Sequence, residues 1–142
     1  MGKTHLAIAL GREAVKKGYS VLFITAVVLV NMLEKAKKES VLNEKMAVLS
    51  KPQLLIIDEV GYLPISTENA NLFFQLVSRR YERKSIILTS NRAINDWGVI
   101  FGDPTVATAI LDRLLHYCTP VTIMGDSYRL REAKKNKLLT GN

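Results

Sequence analysis

The sequence predicts an α/β fold in three layers, with a parallel β-sheet lying between two layers of helices. Segments with the composition of strands alternate with segments of helical periodicity, which is typical of parallel sheets whose strands are joined by helices. The segment 54–57 is an unbroken apolar run, Leu-Leu-Ile-Ile. A run of this kind indicates a strand that is covered by helices on both faces.

The chain opens with a predicted helix. Leu6, Leu10 and Ala14 recur at intervals of four residues, so we expect them to form the buried stripe of this helix. Gly18 follows two lysines and is a suitable residue to end the helix.

The next predicted elements are a strand and two helices. Residues 19–25 are rich in β-branched and aromatic side chains, which favours a strand. Residues 26–50 have helical spacing and predict two helices, of which the second is short and covers about 41–49.

The second half of the chain predicts two more helices and two more strands. Ser66 or Thr67 can cap the first of these helices. Residues 85–89 have the composition of a strand, and the Asp-Pro pair at 103–104 is typical of a helix start. Residues 120–124 predict the last strand.

The composition predicts a soluble, basic protein of the cytoplasm. A length of 142 residues fits one domain, and a net charge of +7 favours an anionic partner such as nucleic acid, although surplus lysine can also serve solubility alone. The single cysteine, Cys118, excludes an internal disulfide, and the apolar spacing before it predicts a small core residue. No apolar run reaches the roughly 18 residues that a membrane-spanning helix needs.

Asp58 and Glu59 follow the apolar run directly, where open α/β sheets bind their ligands. The pair is either the solvated end of a strand or the Mg²⁺ site of a bound nucleoside triphosphate. Asn91 follows the next predicted strand and is expected at the same edge of the sheet. In the second interpretation Asp58 holds Mg²⁺ and Glu59 polarises the attacking water as general base. Asn91 then positions that water or senses the γ-phosphate.

The residues Gly2-Lys3-Thr4 match the last third of the phosphate-binding loop pattern G-x-x-x-x-G-K-[ST]. In that loop, N–H groups at a helix start face the phosphates, the lysine reaches the β- and γ-phosphates, and the threonine hydroxyl binds Mg²⁺. The tripeptide alone occurs by chance in many proteins. Its expected convergence with the two acids and Asn91 at one edge favours a nucleotide-hydrolysing site.

Six segments of the chain resemble the IstB transposition-helper ATPases, close relatives of the DnaC helicase loaders within the AAA+ class. The resemblance runs from residue 2 to about residue 132 and covers nearly the whole chain. The segments are Gly-Lys-Thr-His-Leu-Ala (2–7), Leu-Leu-Ile-Ile-Asp-Glu-Val-Gly-Tyr-Leu-Pro (54–64), Asn-Leu-Phe-Phe-Gln-Leu-Val-Ser-Arg-Arg-Tyr-Glu-Arg (71–83), Thr-Ser-Asn-Arg (89–92), Leu-Asp-Arg-Leu-Leu-His (111–116) and Gly-Asp-Ser-Tyr-Arg-Leu-Arg (125–131).

The resemblance implies a P-loop AAA+ core and a role for each matching residue. Lys3 and Thr4 correspond to the Walker A lysine and threonine, Asp58 and Glu59 to the Walker B pair, and Asn91 to sensor 1. ATP and Mg²⁺ are the implied cofactors.

The resemblance also implies roles for basic residues outside these motifs. Arg113 corresponds to the arginine finger, which in this family reaches the nucleotide of a neighbouring subunit, although without the family an exposed helix arginine is the plainer interpretation. Arg129 corresponds to sensor 2, with Arg131 the less favoured choice, and His5 and His116 are interpreted as structural. The segment 26–50 corresponds to a region that faces DNA, and its candidate phosphate contacts are Lys35, Lys37, Lys38 and Lys45.

Members of this family carry an N-terminal region, a strand and a full glycine loop before Gly-Lys-Thr, whereas this chain begins one residue before that glycine. We therefore expect residues 1–142 to form a partial AAA+ domain that lacks the strand before the Walker A loop. The segment 126–142 is expected to be a basic C-terminal tail. Weak nucleotide binding by this chain is a further expectation.

The resemblance implies that the parent protein is an ATP-dependent factor that assists a transposase in selecting target DNA. It is expected to act as a homo-oligomer on double-stranded DNA, with ATP and Mg²⁺ at the subunit interfaces. Two alternatives remain open from the sequence. One is a DnaC-like loader of a replicative helicase, and the other is an inactive remnant that only binds DNA or subunits.

Overall fold

The computed structural model describes residues 2–116, 118–121 and 123 of the chain. Within these residues, no helix is both long and apolar enough to cross a lipid bilayer. The helices and strands, in chain order, are α1 (Lys3–Lys16), β1 (Val21–Thr25), α2 (Ala26–Lys38), α3 (Leu42–Ser50), β2 (Leu54–Val60), α4 (Thr67–Arg80), β3 (Ser85–Ser90), a 3-10 turn (Ile94–Asp96), α5 (Trp97–Ile100) and α6 (Pro104–Leu115).

The three strands form one parallel sheet in the order β1-β2-β3. Leu54 at the start of β2 aligns with Val21 in β1 and Ser85 in β3, so the carboxyl ends of the strands lie at one edge of the sheet. α1 packs on the face that carries Leu54 and Ile56. The opposite face belongs to a larger core with side chains from α2, α3, α4 and α6. The predicted three-layer α/β fold is confirmed.

β2 is the central strand, and its apolar run is buried as predicted. Leu55 and Ile57 are fully buried in the larger core, while Leu54 and Ile56 are 8% and 1% exposed in the smaller one. Because successive side chains of a strand point to opposite faces, helices on both sides require every residue of the run to be apolar.

Arg80, at the end of α4, is buried beside the larger core. Its buried guanidinium donates hydrogen bonds to the carbonyl oxygens of Leu49 at 3.0 Å and Ser85 at 2.8 Å. Burial lowers the pKa of Arg80. The side chain thus ties the end of α3 and the start of β3 to α4.

The buried stripe of α1 differs from the predicted one. Leu6 and Leu10 are 42% and 46% exposed, whereas Ala7 and Gly11 are buried. A Cβ atom at Gly11 would lie 2.9 Å from Cδ1 of Ile56, so the missing side chain lets α1 approach β2 closely. The prediction followed the largest apolar residues, but this close contact places the smallest residues against the sheet.

The end of the described chain also differs from the prediction. Of the predicted strand at 120–124, residues 120, 121 and 123 belong to no strand, because they do not pair with the sheet, and residues 122 and 124 lie outside the described part. α6 ends at Leu115, so Cys118 lies beyond the helix and is exposed. The prediction of a core cysteine was therefore wrong.

Both predicted helix starts are confirmed by capping hydrogen bonds. The hydroxyl of Ser66 accepts from the N–H of Asn69 at 3.2 Å at the start of α4. The carboxylate of Asp103 accepts from the N–H groups of Thr105 at 2.8 Å and Val106 at 3.4 Å at the start of α6. β1 begins at Val21, two residues later than predicted.

We expect Gly11→Leu to destabilise the fold, because the new side chain would overlap Ile56. Overpacking costs about 1–3 kcal/mol, and because leucine favours a helix by nearly 1 kcal/mol over glycine, we expect a net loss of about 1 kcal/mol in the free energy of unfolding. Ala9→Leu is the matched control, since Ala9 is exposed on the same helix and surface changes are usually within about 0.5 kcal/mol. Urea unfolding followed by circular dichroism measures both variants, and equal stabilities would contradict the close packing of α1 on β2.

Candidate functional site

Asp58 lies near the carboxyl end of β2 and is buried, with 3% of its surface exposed. The hydroxyl of Thr4 in α1 donates to this carboxylate and lies 3.1 Å from each of its oxygens. The predicted phosphate-binding residues and the predicted metal carboxylate are therefore adjacent, although Thr4 and Asp58 are 54 positions apart in sequence.

The first turn of α1 lies at the same edge of the sheet. The helix begins at Lys3, after Gly2, and an α-helix leaves the N–H groups of its first turn without partners inside the helix. These N–H groups and the positive end of the helix dipole attract an anion. Lys3, which is half-buried, adds a positive charge to this first turn.

Asp58 and Glu59 occupy a β-bulge, in which two residues of β2 stand opposite the single residue Thr89 of β3. Glu59 has a φ of 61°, in the left-handed region that side chains other than Gly, Asn and Asp seldom adopt. Its side chain is exposed while that of Asp58 is buried. The pairs that flank the bulge are Ile57 with Leu88 and Val60 with Ser90.

The hydroxyl of Thr89 joins the two acids. It accepts a hydrogen bond from the N–H of Glu59 at 2.9 Å and donates one to Oδ1 of Asp58. Thr89 is itself buried. It was not among the predicted site residues, and the only sequence signal for it is a hydroxyl side chain near the end of the strand that follows the two acids.

A groove of about 130 Å³ lies beside Glu59, between α2 and the loop 61–66. Its polar lining includes Asn31, Ser66 and Asn69. Sites for small molecules usually enclose about 300–1,000 Å³, so the groove is too small for a nucleoside triphosphate.

Thr4 and Asp58 supply oxygen ligands of the kind that Mg²⁺ prefers. Mg²⁺ takes octahedral ligands at 2.0–2.1 Å, which places neighbouring ligands about 2.9 Å apart, close to the 3.1 Å between the Thr4 hydroxyl and the Asp58 carboxylate. The part of the chain that the structure describes contains no group of three His, Cys, Asp or Glu side chains that could hold a metal by itself. These residues therefore fit a Mg²⁺ ion whose other ligands are phosphate and water.

Asn91 immediately follows β3 and is exposed at this edge. The structure thus places it where the sequence predicted, directly after the strand that neighbours the two acids. Arg129, the predicted sensor-2 residue, and Arg131 lie outside the described residues.

Arg113 lies far from this edge. Its guanidinium stacks over the ring of Tyr81, 4.8 Å from the ring centre, and the same ring stacks on His116. Tyr81 follows α4, which begins at the edge of the site and is 14 residues long, so the two ends of α4 are about 20 Å apart. The structure does not bring Arg113 to the acids of its own chain.

The four lysines predicted to contact DNA lie on α2 and α3, on the side of the sheet opposite α1. Three of them pair with exposed carboxylates, and such surface pairs contribute only about 0–1 kcal/mol. The pairs are Lys35 with Glu39 at 4.0 Å, Lys37 with Glu68 at 2.7 Å and Lys38 with Glu34 at 3.2 Å. Lys45 forms no ion pair with any described residue.

Comparison with known proteins identifies relatives by sequence. The profile of the IstB-like ATP binding proteins matches residues 1–136. A Pseudomonas aeruginosa protein, named as an ATP-binding protein of insertion sequence IS21, is 55% identical over 142 residues, and a Geobacillus stearothermophilus protein, named likewise for IS5376, is 52% identical over 134 residues. The matches cover 100% and 94% of this chain but 54% and 53% of those proteins. The chain therefore spans about half the length of these relatives.

Two solved structures have a similar fold. The AMPPCP-bound DnaA of Aquifex aeolicus matches with a TM-score of 0.73 and 26% identity, over 97% of this chain and 42% of that one. DnaI matches with a TM-score of 0.74 and 24% identity, over 87% of this chain and 68% of that one. Together with the parallel sheet, these matches confirm the predicted AAA+ fold.

The ion pair between Lys38 and Glu34 can be tested through the pKa of Glu34. Hydrogen bonds from Lys38 and Asn69 hold the pKa of Glu34 below its ordinary value. We expect Lys38→Ala to raise this pKa, as measured by NMR titration of the carboxyl carbon, and Lys35→Ala to leave it unchanged, because Lys35 pairs with Glu39.

The pH dependence follows from the direction of the shift. Because the folded-state pKa of Glu34 is lowered, the pair stabilises the fold above the unfolded-state pKa, and its contribution is lost as the pH falls through the folded-state pKa. An unchanged Glu34 pKa in Lys38→Ala would show that the two side chains do not pair.

Proposed function

We propose that the parent protein of this chain, which belongs to the family of IstB-like ATP binding proteins, binds ATP with Mg²⁺ and hydrolyses it. The contact between Thr4 and Asp58 carries the proposal, because it joins the end of a phosphate-binding sequence to a buried carboxylate. The proposed site is the edge of the sheet where α1 begins and β2 ends.

Each side chain at this edge has a proposed task. Lys3 and the first-turn N–H groups, together with Gly2, hold the β- and γ-phosphates, and Thr4 and Asp58 hold Mg²⁺. Bound Mg²⁺ would neutralise charge on the phosphates. Glu59, exposed to solvent, takes a proton from the attacking water. Asn91 on the neighbouring strand positions that water or senses the γ-phosphate.

Arg113 is proposed to act on the nucleotide of a second copy of the chain. It stacks on Tyr81 at the end of α4 that lies away from Asp58, so it does not serve the site of its own chain. An arginine supplied by a neighbour stabilises the charge of the transferred phosphoryl group. The proposal therefore includes a homo-oligomer with ATP at its interfaces, and Arg129 as a further contact to the nucleotide.

We further propose that the complete protein acts in the cytoplasm on double-stranded DNA and assists a transposase in selecting its target. Two relatives are named for insertion sequences, which supports a role in transposition. The net charge of +7 supports an anionic partner. Because the chain spans about half the length of these relatives, contacts made by the remaining half are part of the proposal.

Glu59→Gln is expected to lower ATP turnover strongly while ATP binding persists. Loss of a general base reduces kcat by about 10²–10⁴, and glutamine preserves the size of the side chain. Phosphate release with and without duplex DNA measures turnover, and isothermal titration measures ATP binding. Lys3→Ala is expected to weaken binding in the same titration.

Glu82→Gln is the matched control, because Glu82 is another exposed glutamate with a positive φ, of 59°, outside the site. We expect this variant to turn over ATP like the unmutated chain. If Glu59→Gln also turned over ATP like the unmutated chain, with or without DNA, the inactive-remnant alternative would replace the proposal.

Removing the four lysines of α2 and α3 is expected to reduce the salt dependence of DNA binding. Each phosphate contact contributes about 0.9 to the slope of log K against log salt concentration, so we expect the slope to become shallower by about 2–4. Fluorescence anisotropy with a labelled duplex at several salt concentrations measures this slope. The variant replaces Lys35, Lys37, Lys38 and Lys45 with alanine.

A second variant removes the same charge from other surfaces of the protein and controls for net charge. We expect it to change the slope less than the first variant does, because three of its four residues lie on or next to α1, on the other side of the sheet from α2 and α3. Equal slopes for the two variants would show that the lysines of α2 and α3 make no particular contact. The control replaces Arg12, Lys16, Lys17 and Lys84 with alanine, all of them exposed.

A further inference from the structure

We infer that Thr89 is a positioning residue for ATP hydrolysis, whose hydroxyl sets the backbone of Glu59 and the carboxylate of Asp58 relative to each other. The inference rests on the proposed function, because it assumes that Glu59 is the general base. It is carried by the geometry of the bulge, in which one threonine of β3 stands opposite both acids.

The bulge removes the usual partner of the Glu59 N–H. In a regular parallel ladder, backbone N–H groups donate to carbonyl oxygens of the neighbouring strand. Here the N–H of Glu59 donates to the side-chain oxygen of Thr89 at 2.9 Å instead. A backbone donor left without an acceptor is unfavourable, so the threonine hydroxyl replaces a ladder hydrogen bond at this position.

The same hydroxyl also fixes Asp58. A hydroxyl has one proton to donate and lone pairs to accept with, and Thr89 uses both capacities, donating to Asp58 Oδ1 while it accepts from Glu59. Movement of either acid therefore disturbs the hydrogen bond to the other. Serine retains this chemistry, whereas valine has the shape of threonine without the hydroxyl.

The bulge gives the two neighbouring acids different surroundings. Ile57 and Val60 both lie in the larger core, although residues three apart in a regular strand face opposite sides. Asp58 continues the alternation of Leu54 and Ile56 and faces Thr4 of α1. The extra residue keeps Glu59, with its φ of 61°, exposed and out of the larger core that a regular strand would place it in. One acid can then hold a metal while the other contacts water.

The test compares Thr89→Val, Thr89→Ser and the unmutated chain by two measurements. In Thr89→Val we expect kcat for ATP to fall at least about tenfold while KM changes less than about twofold, because a misplaced base slows the chemical step rather than binding. We also expect hydrogen exchange at the Glu59 amide, followed by NMR, to accelerate at least about tenfold with the Ile57 amide unchanged. Thr89→Ser should restore both values to within about threefold of the unmutated chain.

Thr108→Val is the matched control for loss of a hydroxyl, since Thr108 is exposed on α6 and its hydroxyl, among the described residues, bonds the carbonyl of Pro104 alone. We expect it to change neither measurement.

Turnover in Thr89→Val equal to that of the unmutated chain, with Glu59→Gln inactive, overturns the inference and leaves the proposed function intact. An unmutated chain without turnover overturns the proposed function and, with it, the catalytic role of Thr89. A parallel loss of protection at Glu59 and Ile57 shows general loosening of the strand and also overturns the inference.

Discussion

A buried carboxylate needs hydrogen-bond donors, and the donors to Asp58 come from the elements that meet at one edge of the sheet. An ionised group removed from water is strongly destabilising unless donors or a cation compensate it. The donors are the hydroxyls of Thr4 in α1 and Thr89 in β3. Three elements from distant parts of the chain are thereby fixed to one carboxylate. The start of a helix, a bulge and the end of the neighbouring strand take up their relative positions around it.

The position of α1 depends on this carboxylate more than on apolar packing. The core beneath α1 is small and consists of Ala7, Leu54 and Ile56, and the two leucines of the helix are exposed rather than packed. Close approach at Gly11 fixes the distance between helix and sheet, and the Thr4 hydroxyl fixes the first turn against Asp58. The N–H groups at the start of α1 are therefore positioned by a polar contact as well as by apolar packing.

The features that could be predicted from the sequence are the ones with local causes. β2 was evident because burial on both faces demands a continuous apolar run, and the caps at Ser66 and Asp103 act on N–H groups two or three residues away. The wrong predictions concern relations between distant segments. Hydropathy pointed to the leucines of α1, but contact with Ile56 selected Gly11, and Thr89 acquires its place only through a bulge in another strand. Of the candidate site, the acids were visible in the sequence, but the hydroxyl that joins them was not.

Charged groups that are proposed to act on one nucleotide lie at opposite ends of α4. Asp58 and Glu59 lie where α4 begins, whereas Arg113 rests on Tyr81 where it ends, and about 20 Å of helix lies between them. A single arginine cannot span that distance. A cation–π contact of an exposed arginine such as Arg113 contributes about 0.5–1 kcal/mol, so the arginine can leave Tyr81 for a phosphate at little cost. Within the proposed function, the two acids lie at one end of α4 and Arg113 lies at the other. A second copy of the chain is therefore required to bring an arginine to the nucleotide that the acids hold.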